Sequence, residues 1–398
     1  MNKKLLIIIL VVTVVFTISC KAESQDKTRV HPDIRVRNGY QLEVVVAPDS
    51  APRHMALSPD GTLYFTNKNS NMITSARDTY GDGHFETLKT YHESDNTAYY
   101  VLWHDGFLWY TEAGAVYKTK DTDNDGVVDE VTRVILEEDL VSTGGQHNWR
   151  NLLILNGRIY TGIGDSGNIN IETKSKRQKI WSFNIDGKDK KLFCSGIRNT
   201  EKLVVRPGTD EIWGMDHGSD RFGRELGENR GMQPVTNMFP PEEMNHYVEG
   251  GFYGHPFIEG NNMPRYEYMN RDDILELAQR NIGPEWEGGA HWASNGMMFY
   301  TGDQFPGENK GDAFVAYHGS WNREPKAGYQ VTRVLFEDGH PYGELPYVNF
   351  LTEDKIVLGR PVDVIQEPDG SILISEDGGR SVDGYRMNKI YRLKYVGK

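Results

Sequence analysis

The residues that first suggest catalysis are a histidine on a glycine-rich loop and a carboxylate at the end of the strand that follows. GlyGlyGlnHisAsnTrpArgAsnLeu starts at Gly144, and Asp165 lies 18 residues after His147. An imidazole oriented by a carboxylate acts as a general base near neutral pH. SerGlyIleArgAsnThrGlu brings Arg198 and Asn199, and AspHisGlySerAsp follows at Asp216 to Asp220. A buried guanidinium beside an amide stabilises a developing oxyanion, while the turn at Gly218 and Ser219 offers backbone carbonyls to a cation. HisGlySerTrpAsnArgGluProLysAlaGlyTyr from His318 and LeuGlyArgProValAspVal around Arg360 add Arg323, Lys326 and Arg360 to an acidic chain. Grouped cations suit a polyanionic ligand. Each segment also reads as a linking turn or a solvated surface, and one His among 12 is more often structural.

A second chemistry is written in carboxylates. AspThrAspAsnAspGlyValValAspGlu places Asp121, Asp123, Asp125 and Asp129 at loop positions 1, 3, 5 and 9 with Gly126 at 6. Tight loops wrap oxygen ligands around Ca²⁺ in this way. Thr132 stands where the bidentate Glu of an EF-hand would be, so the expectation stops at weak or structural Ca²⁺ binding. In the similar segment from Asp78, Tyr80 replaces the middle Asp, and a solvated turn is the better reading.

The elements that must position these residues repeat. A turn followed by an alternating apolar strand that ends in a polar residue occurs six times, from Ser58, His104, Leu155, Pro207, Gly311 and Pro368. Such copies are hairpin signals. Gly61 and Gly106 are 45 residues apart, and Asp78 and Asp121 are 43 apart. About that much chain makes one four-stranded propeller blade. The expected fold is therefore all-β: a six-bladed β-propeller over residues 38–398, with an insertion at about 221–300 between blades 4 and 5. One short amphipathic helix is expected there, with Ile274, Leu275, Ala278 and Ile282 on one face and GlyPro ending it. Long ordered loops of this kind are expected to wall a site.

The N-terminus reads as an export signal. Lys3 and Lys4 precede an apolar run from Leu5 to Phe16 that is too short to span a bilayer, and ThrIleSerCys ends it. Cysteine directly after a small residue resembles the bacterial lipobox, which implies a lipoprotein signal peptide over residues 1–19 and a lipidated Cys20, with residues 20–37 expected as a polar tether. That places the protein at the bacterial cell envelope, in the periplasm or at the outer membrane. Only Cys20 and Cys194 exist, and a lipidated Cys20 leaves Cys194 alone, so no disulfide is expected to support the fold. The net charge of −13 becomes −15 once Lys3 and Lys4 are removed with the signal, which argues against a nucleic-acid partner.

Taken in order, GlyGlyGlnHisAsnTrpArgAsnLeu, IleGlyAspSerGlyAsn, SerGlyIleArgAsn, GlyGlyPheTyrGlyHisPro, HisGlySerTrpAsnArgGluProLysAlaGlyTyr and GlyArgProValAspVal resemble the motifs of the glucose/sorbosone dehydrogenase family. The likeness runs from about residue 50 to the C-terminus and is nearest the sorbosone branch. It implies a propeller that uses pyrroloquinoline quinone (PQQ) and Ca²⁺ to oxidise a sugar or sugar-derived aldehyde by hydride transfer. By the same resemblance, His147 is the general base, the Asp165 carboxylate orients it, and Arg198 stabilises charge on the reduced quinone. Asn199, His217, Lys326 and Arg360 would contact the cofactor, and the carbonyls of Gly218 and Ser219 would hold Ca²⁺. The chain departs from the family at Gln146, His217 and Ser219. It contains no CysXaaXaaCysHis, so a separate quinone or cytochrome is expected to take the electrons. Two other readings predict different arrangements: a carbohydrate-binding scaffold without cofactor would gather aromatics alone, and a lactonase-type hydrolase would ring an axial metal with carboxylate and Asn side chains.

Overall fold

Each of the six repeated phrases is the turn between the first and second strands of a sheet, together with that second strand. The computed structural model describes residues 28–141, 146–221, 234–378, 381–382 and 384–397, and its six main sheets form a β-propeller. Blade 1 is Pro52–Leu57, Leu63–Asn67, Met72–Arg77 and Thr87–Glu93, and blade 2 is Tyr100–His104, Phe107–Glu112, Ala115–Lys120 and Glu130–Leu136. Blade 3 is Leu153–Leu155, Arg158–Ile163, Lys179–Asn184 and Lys191–Ser195. Blade 4 is Thr200–Val205, Ile212–Asp216, Glu242–Tyr247 and Trp286–Gly288. Blade 5 is Ser294–Phe299, Ala313–Tyr317, Gln330–Glu337 and His340–Asn349. Blade 6 takes Pro361–Gln366, Ile372–Glu376 and Ile390–Tyr395 from the C-terminal end and Tyr40–Val46 from the N-terminal end.

The strands are short and two-sided because each sheet is covered by neighbours on both faces. Tyr64, Ile73 and Tyr91 of blade 1 pack on Val101, Leu108 and Tyr110 of blade 2, and the contact recurs around the ring. Blades 6 and 1 close it through Val45, Leu373, Met55 and Phe65. The turn glycines Gly61, Gly106, Gly157, Gly208, Gly311 and Gly370 all have positive φ, the conformation that reverses a strand over two to four residues. All six turns therefore lie at one end of the ring. The polar residue that ends each second strand lies at the other.

The structure places the insertion differently from the sequence reading. Glu242–Tyr247 and Trp286–Gly288 complete the sheet of blade 4, so the extra chain sits inside that blade rather than after it. The helix is Ile274–Arg280, and its buried side combines Ile274 with Leu277 and Ala278 against Phe257. Leu275 is 72% exposed and belongs to the solvent side, because a step of one residue turns 100° around the helix. Arg35–Val36 already pairs with the outer strand of blade 5, so the end of the expected tether is part of the ring. Cys20, the signal segment, Gly144 and residues 222–233 lie outside the described residues. Cys194 is buried and free, and burial pushes its thiol up.

Candidate active site

The first strand of each blade begins near the axis, at the end where the second strands finish. Polar side chains from several blades meet there around a cavity of about 370 Å³. Its lining includes His147, Arg198, Asn199, His217 and Gly218 from the sequence-derived set.

His147 has φ +49°, a conformation that side chains other than glycine seldom adopt. Space for it comes from Gly164: a Cβ there would lie 2.9 Å from the His147 Cβ and 2.2 Å from the Arg198 carbonyl oxygen. The His147 Nδ1 is 2.9 Å from the backbone oxygen of Asp165. A carbonyl only accepts, so Nδ1 carries the proton and Nε2 keeps its lone pair. Burial first, then the charges of Arg198 and His217, holds this imidazole well below the ordinary histidine range.

The Asp165 carboxylate does not orient His147. It is fully buried and accepts from the amides of Gly167 and Asn170, from Gln178, and from His255 Nε2 at 2.8 Å. Burial pushes this carboxyl up, but His255 and the two amides outweigh it and bring it to about 2. The orienting group is thus the carbonyl of the expected residue. The carboxylate belongs to the wall behind it, because the strand end directs the side chain into blade 3 and toward the GlyHisPro turn.

Arg198 donates through Nε and Nη2 to Asn168 and through Nη2 to Asp220 at 3.1 Å, while its amide and that of Asn199 are held by Asp216. Asn199 Nδ2 lies 3.3 Å from Glu201 and 3.3 Å from His217 Nδ1; its buried Oδ1 has no partner among the described residues. His217 also donates from Nε2 to the Ser294 carbonyl at 2.9 Å, so it works as a strut between blades 4 and 5. Gly218 passes so close to Pro241 that a Cβ would sit 2.3 Å from that carbonyl oxygen. Ser219 is fully buried and turns its hydroxyl to Glu259 and Arg265.

Lys326 and Arg360 do not line this cavity. They line an adjoining hollow of about 610 Å³ that shares Lys68 and His318 with it. The described lining of the hollow carries Lys68, Lys326, Lys355 and Arg360 and no carboxylate. Arg360 Nη1 is 3.4 Å from His318 Nδ1, and His318 Nε2 is 2.6 Å from Asp377. Asp377 also binds Arg53 at 2.6 Å, and Arg53 bridges to Glu201 at 2.7 Å while lying 3.7 Å over the Trp149 ring.

Sequence reasoning missed Arg53, Lys68, Glu201 and Asp377. Arg53 stands in no motif, but it opens the first strand of blade 1, five residues before the repeated turn, at the level of the other strand starts. Glu376 and Asp377, like Asp165 and Asp216, end a repeat, and that shared position was the available signal.

The Asp121 loop is elsewhere. It joins the third and fourth strands of blade 2, so it lies at the turn end of the ring, away from His147. Ligand atoms of Asp121, Asp123 and Asp129 come within 4.8 Å of one another, as do those of Asp78, Asp82 and Glu86. These oxygens accept from their own loop: Asp121 from Asp125 and Gly126, Asp123 from Asp125, and Asp129 from Thr122. Asp125 caps Val127 in the same way, and the loop docks on blade 1 through the Gly126 carbonyl and the Ser75 hydroxyl. The arrangement is that of a turn whose carboxylates are satisfied mainly by its own amides, with Arg77 3.8 Å from Asp121 and Lys89 3.6 Å from Asp125 on the blade 1 side.

Comparison with known proteins adds to this geometry. The family profile described as TrAA12-like matches residues 34–357. An uncharacterized protein of Borreliella burgdorferi is 28% identical over 416 residues, covering 96% of each chain. The calcium structure of Trichoderma reesei Carbohydrate-Active Enzymes Family AA12 superposes with a TM-score of 0.77 at 17% identity, covering 93% of this chain and 99% of that one. The holo form of the pyranose dehydrogenase PQQ domain from Coprinopsis cinerea gives 0.73 at 16% identity, covering 91% and 97%. The apo form of the soluble aldose sugar dehydrogenase from Escherichia coli gives 0.64 at 17%, covering 89% and 99%.

Proposed function

We propose that this chain, which belongs to the TrAA12-like family, is a sugar oxidoreductase that uses PQQ and Ca²⁺. The observation that carries the reading is His147: an uncharged imidazole, fixed in one tautomer, whose Nε2 has no hydrogen-bond partner among the described residues, in a cavity that also holds Arg198. The residues present fit a flat polyanion. Lys68, Lys326, Lys355 and Arg360 crowd the hollow next to the cavity without a carboxylate in its described lining, while the buried Asn199 Oδ1, without a partner among the described residues, leaves an acceptor for an N–H of the ligand.

When bound, the quinone supplies the carbonyl that accepts hydride from the carbinol carbon of the sugar. Arg198 would hold an oxygen of the quinone with Asn199 in contact beside it, and Lys326 and Arg360 would hold its carboxylates, with Gly218 and Ser219 as backbone ligands for Ca²⁺. The protein's own part is proton removal. His147 Nε2 takes the hydroxyl proton while Nδ1–H stays on the Asp165 carbonyl, so the ring need not rotate as it charges. Arg198, fastened to Asn168 and Asp220, keeps its positive charge beside that event. Cell-envelope attachment through lipidated Cys20 and a separate quinone or cytochrome acceptor belong to the same proposal.

The test is reconstitution of the metal-stripped protein with PQQ and Ca²⁺, followed by dye reduction on a panel of aldoses and aldehydes. The expected result is saturable, Ca²⁺-dependent turnover that disappears in His147→Ala. A folded protein that binds no PQQ would overturn the proposal and favour a cofactor-less carbohydrate-binding propeller.

A further inference from the structure

We infer that Trp321 and Asn322 form a platform for a pyranose ring at the mouth of the His147 cavity, so that the substrate is a saccharide held by a C–H face rather than a small open-chain aldehyde. This rests on the oxidoreductase reading for its catalytic meaning, though not for the binding itself.

Of the eight tryptophans, all among the described residues, Trp321 alone is exposed over most of its surface, at 65%. It nevertheless lines the cavity. Trp149, the other indole in that wall, is already occupied: the Arg53 guanidinium lies 3.7 Å over its ring and Tyr99 meets it at 4.8 Å. The Trp321 ring is approached by the Arg221 guanidinium only at 5.6 Å.

Single exposed aromatic residues are ordinary on protein surfaces. This one differs because the backbone that carries it is fixed on every side. Gly319 donates to the Trp292 carbonyl, Ser320 exchanges hydrogen bonds with Ala327, and Tyr329 donates to the Ser320 carbonyl. Gly319 takes φ +98°, and a Cβ there would lie 2.2 Å from the Tyr329 ring. Arg323 Nη1 donates to the Ala290 carbonyl at 3.0 Å, and the Glu324 amide to Asn237 at 3.1 Å. With the backbone on either side fixed, only the two side-chain torsions of the indole remain to be ordered when a ring stacks on it.

The neighbouring residue supplies the polar half of sugar recognition. Asn322 Nδ2 donates to Asp220 at 2.6 Å, which fixes the amide plane, while its buried Oδ1 has no partner among the described residues. An orphaned acceptor beside an apolar ring matches a pyranose, whose hydroxyls donate from the edge of a C–H face. An aldehyde without a ring would offer the indole no C–H face, whatever hydroxyls it brought to Asn322. An aromatic electron acceptor would use the indole but offer Asn322 no donor.

Calorimetric titration of the cofactor-free full chain with glucose and with cellobiose tests the platform without any turnover. Saturable binding is expected, weakened at least tenfold in Trp321→Ala, retained within about threefold in Trp321→Phe, and weakened several-fold in Asn322→Ala. Unchanged affinity in Trp321→Ala, or no binding of either sugar by the wild-type chain, would overturn the inference. In the reconstituted protein, Trp321→Ala should raise the sugar KM at least tenfold and leave the acceptor KM unchanged; the opposite split would assign the indole to the acceptor and remove the platform. Trp321-dependent sugar binding by a chain that never oxidises sugar would support the platform while removing the proposed reaction.

Discussion

The Asp121 loop at the turn end and the cavity at the other end carry similar residue types and use them in opposite ways. At the turn end, the carboxylates of Asp121, Asp123 and Asp129 accept from amides within eight residues of themselves. At the other end, Arg53 of blade 1 joins Glu201 of blade 4 to Asp377 at the end of blade 6. Local partners stabilise a loop and leave nothing over. Partners drawn from distant blades hold one another in place and leave atoms such as Asn199 Oδ1 and His147 Nε2 unspent. The sequence pattern alone does not separate these cases, because the acidic ladder is the more regular of the two.

The contrast would break first at His147. Replacing it with Ala should lower kcat by about 10²- to 10⁴-fold, the usual contribution of a general base, as measured by dye reduction in the reconstituted protein. Because the folded state holds this imidazole well below the ordinary 6.5, the base is already uncharged through pH 6 to 8, and the acid limb of kcat/KM should fall below pH 6.5. A limb above that value would place the working base elsewhere.

Arg53→Met should come next. It leaves Glu201 and Asp377 as buried carboxylates without their shared cation, which costs about 3–5 kcal/mol in urea unfolding. A loss below about 1 kcal/mol would mean that this end is no more interdependent than the other.

Glu376 sharpens the comparison through pH. Burial raises its carboxyl to about 7, against the amides of Gly378 and Arg360. A raised carboxyl binds more protons folded than unfolded, so its contribution is complete below about pH 4.5 and is lost as pH rises through 7. The effect is about 3 kcal/mol, and Glu376→Gln should flatten that part of the stability curve. An unchanged curve would show that the carboxyl titrates normally. The smallest effect belongs to the turn end: Asp121→Asn should change turnover less than twofold and stability by about 0.5–1 kcal/mol.

How much of this was legible depended on whether the signal was local. The turn-and-strand phrase is local, so the six blades could be read directly. The polar residues ending each second strand could be read as well, although which would point to the axis could not. His147, Arg198 and Asn199 stood out through motifs. Arg53 did not, because its importance lies in contacts to Glu201 and Asp377, 148 and 324 residues away. Asp165 was found for the wrong atom: a sequence names a residue but does not say whether its carboxylate or its carbonyl faces a partner. The insertion was misplaced because the strands it interrupts, Glu242–Tyr247 and Trp286–Gly288, carry no repeat phrase. The resemblance to the glucose/sorbosone dehydrogenase family is consistent with the TrAA12-like match, while the sorbosone branch is not singled out.

The sixth sheet has a consequence in time. Its outer strand, Tyr40–Val46, pairs with Ile390–Tyr395, far along the chain, through contacts such as Tyr40 with Tyr395. No nascent chain can form that ladder until the five other blades have been made, and the long loop to be closed slows the step further. Until then Tyr40–Val46 and the edge of Ile372–Glu376 are open, each a template for another chain. A protein truncated before Ile390 would lose the latch of the ring as well as one strand, and its characteristic failure would be intermolecular strand exchange.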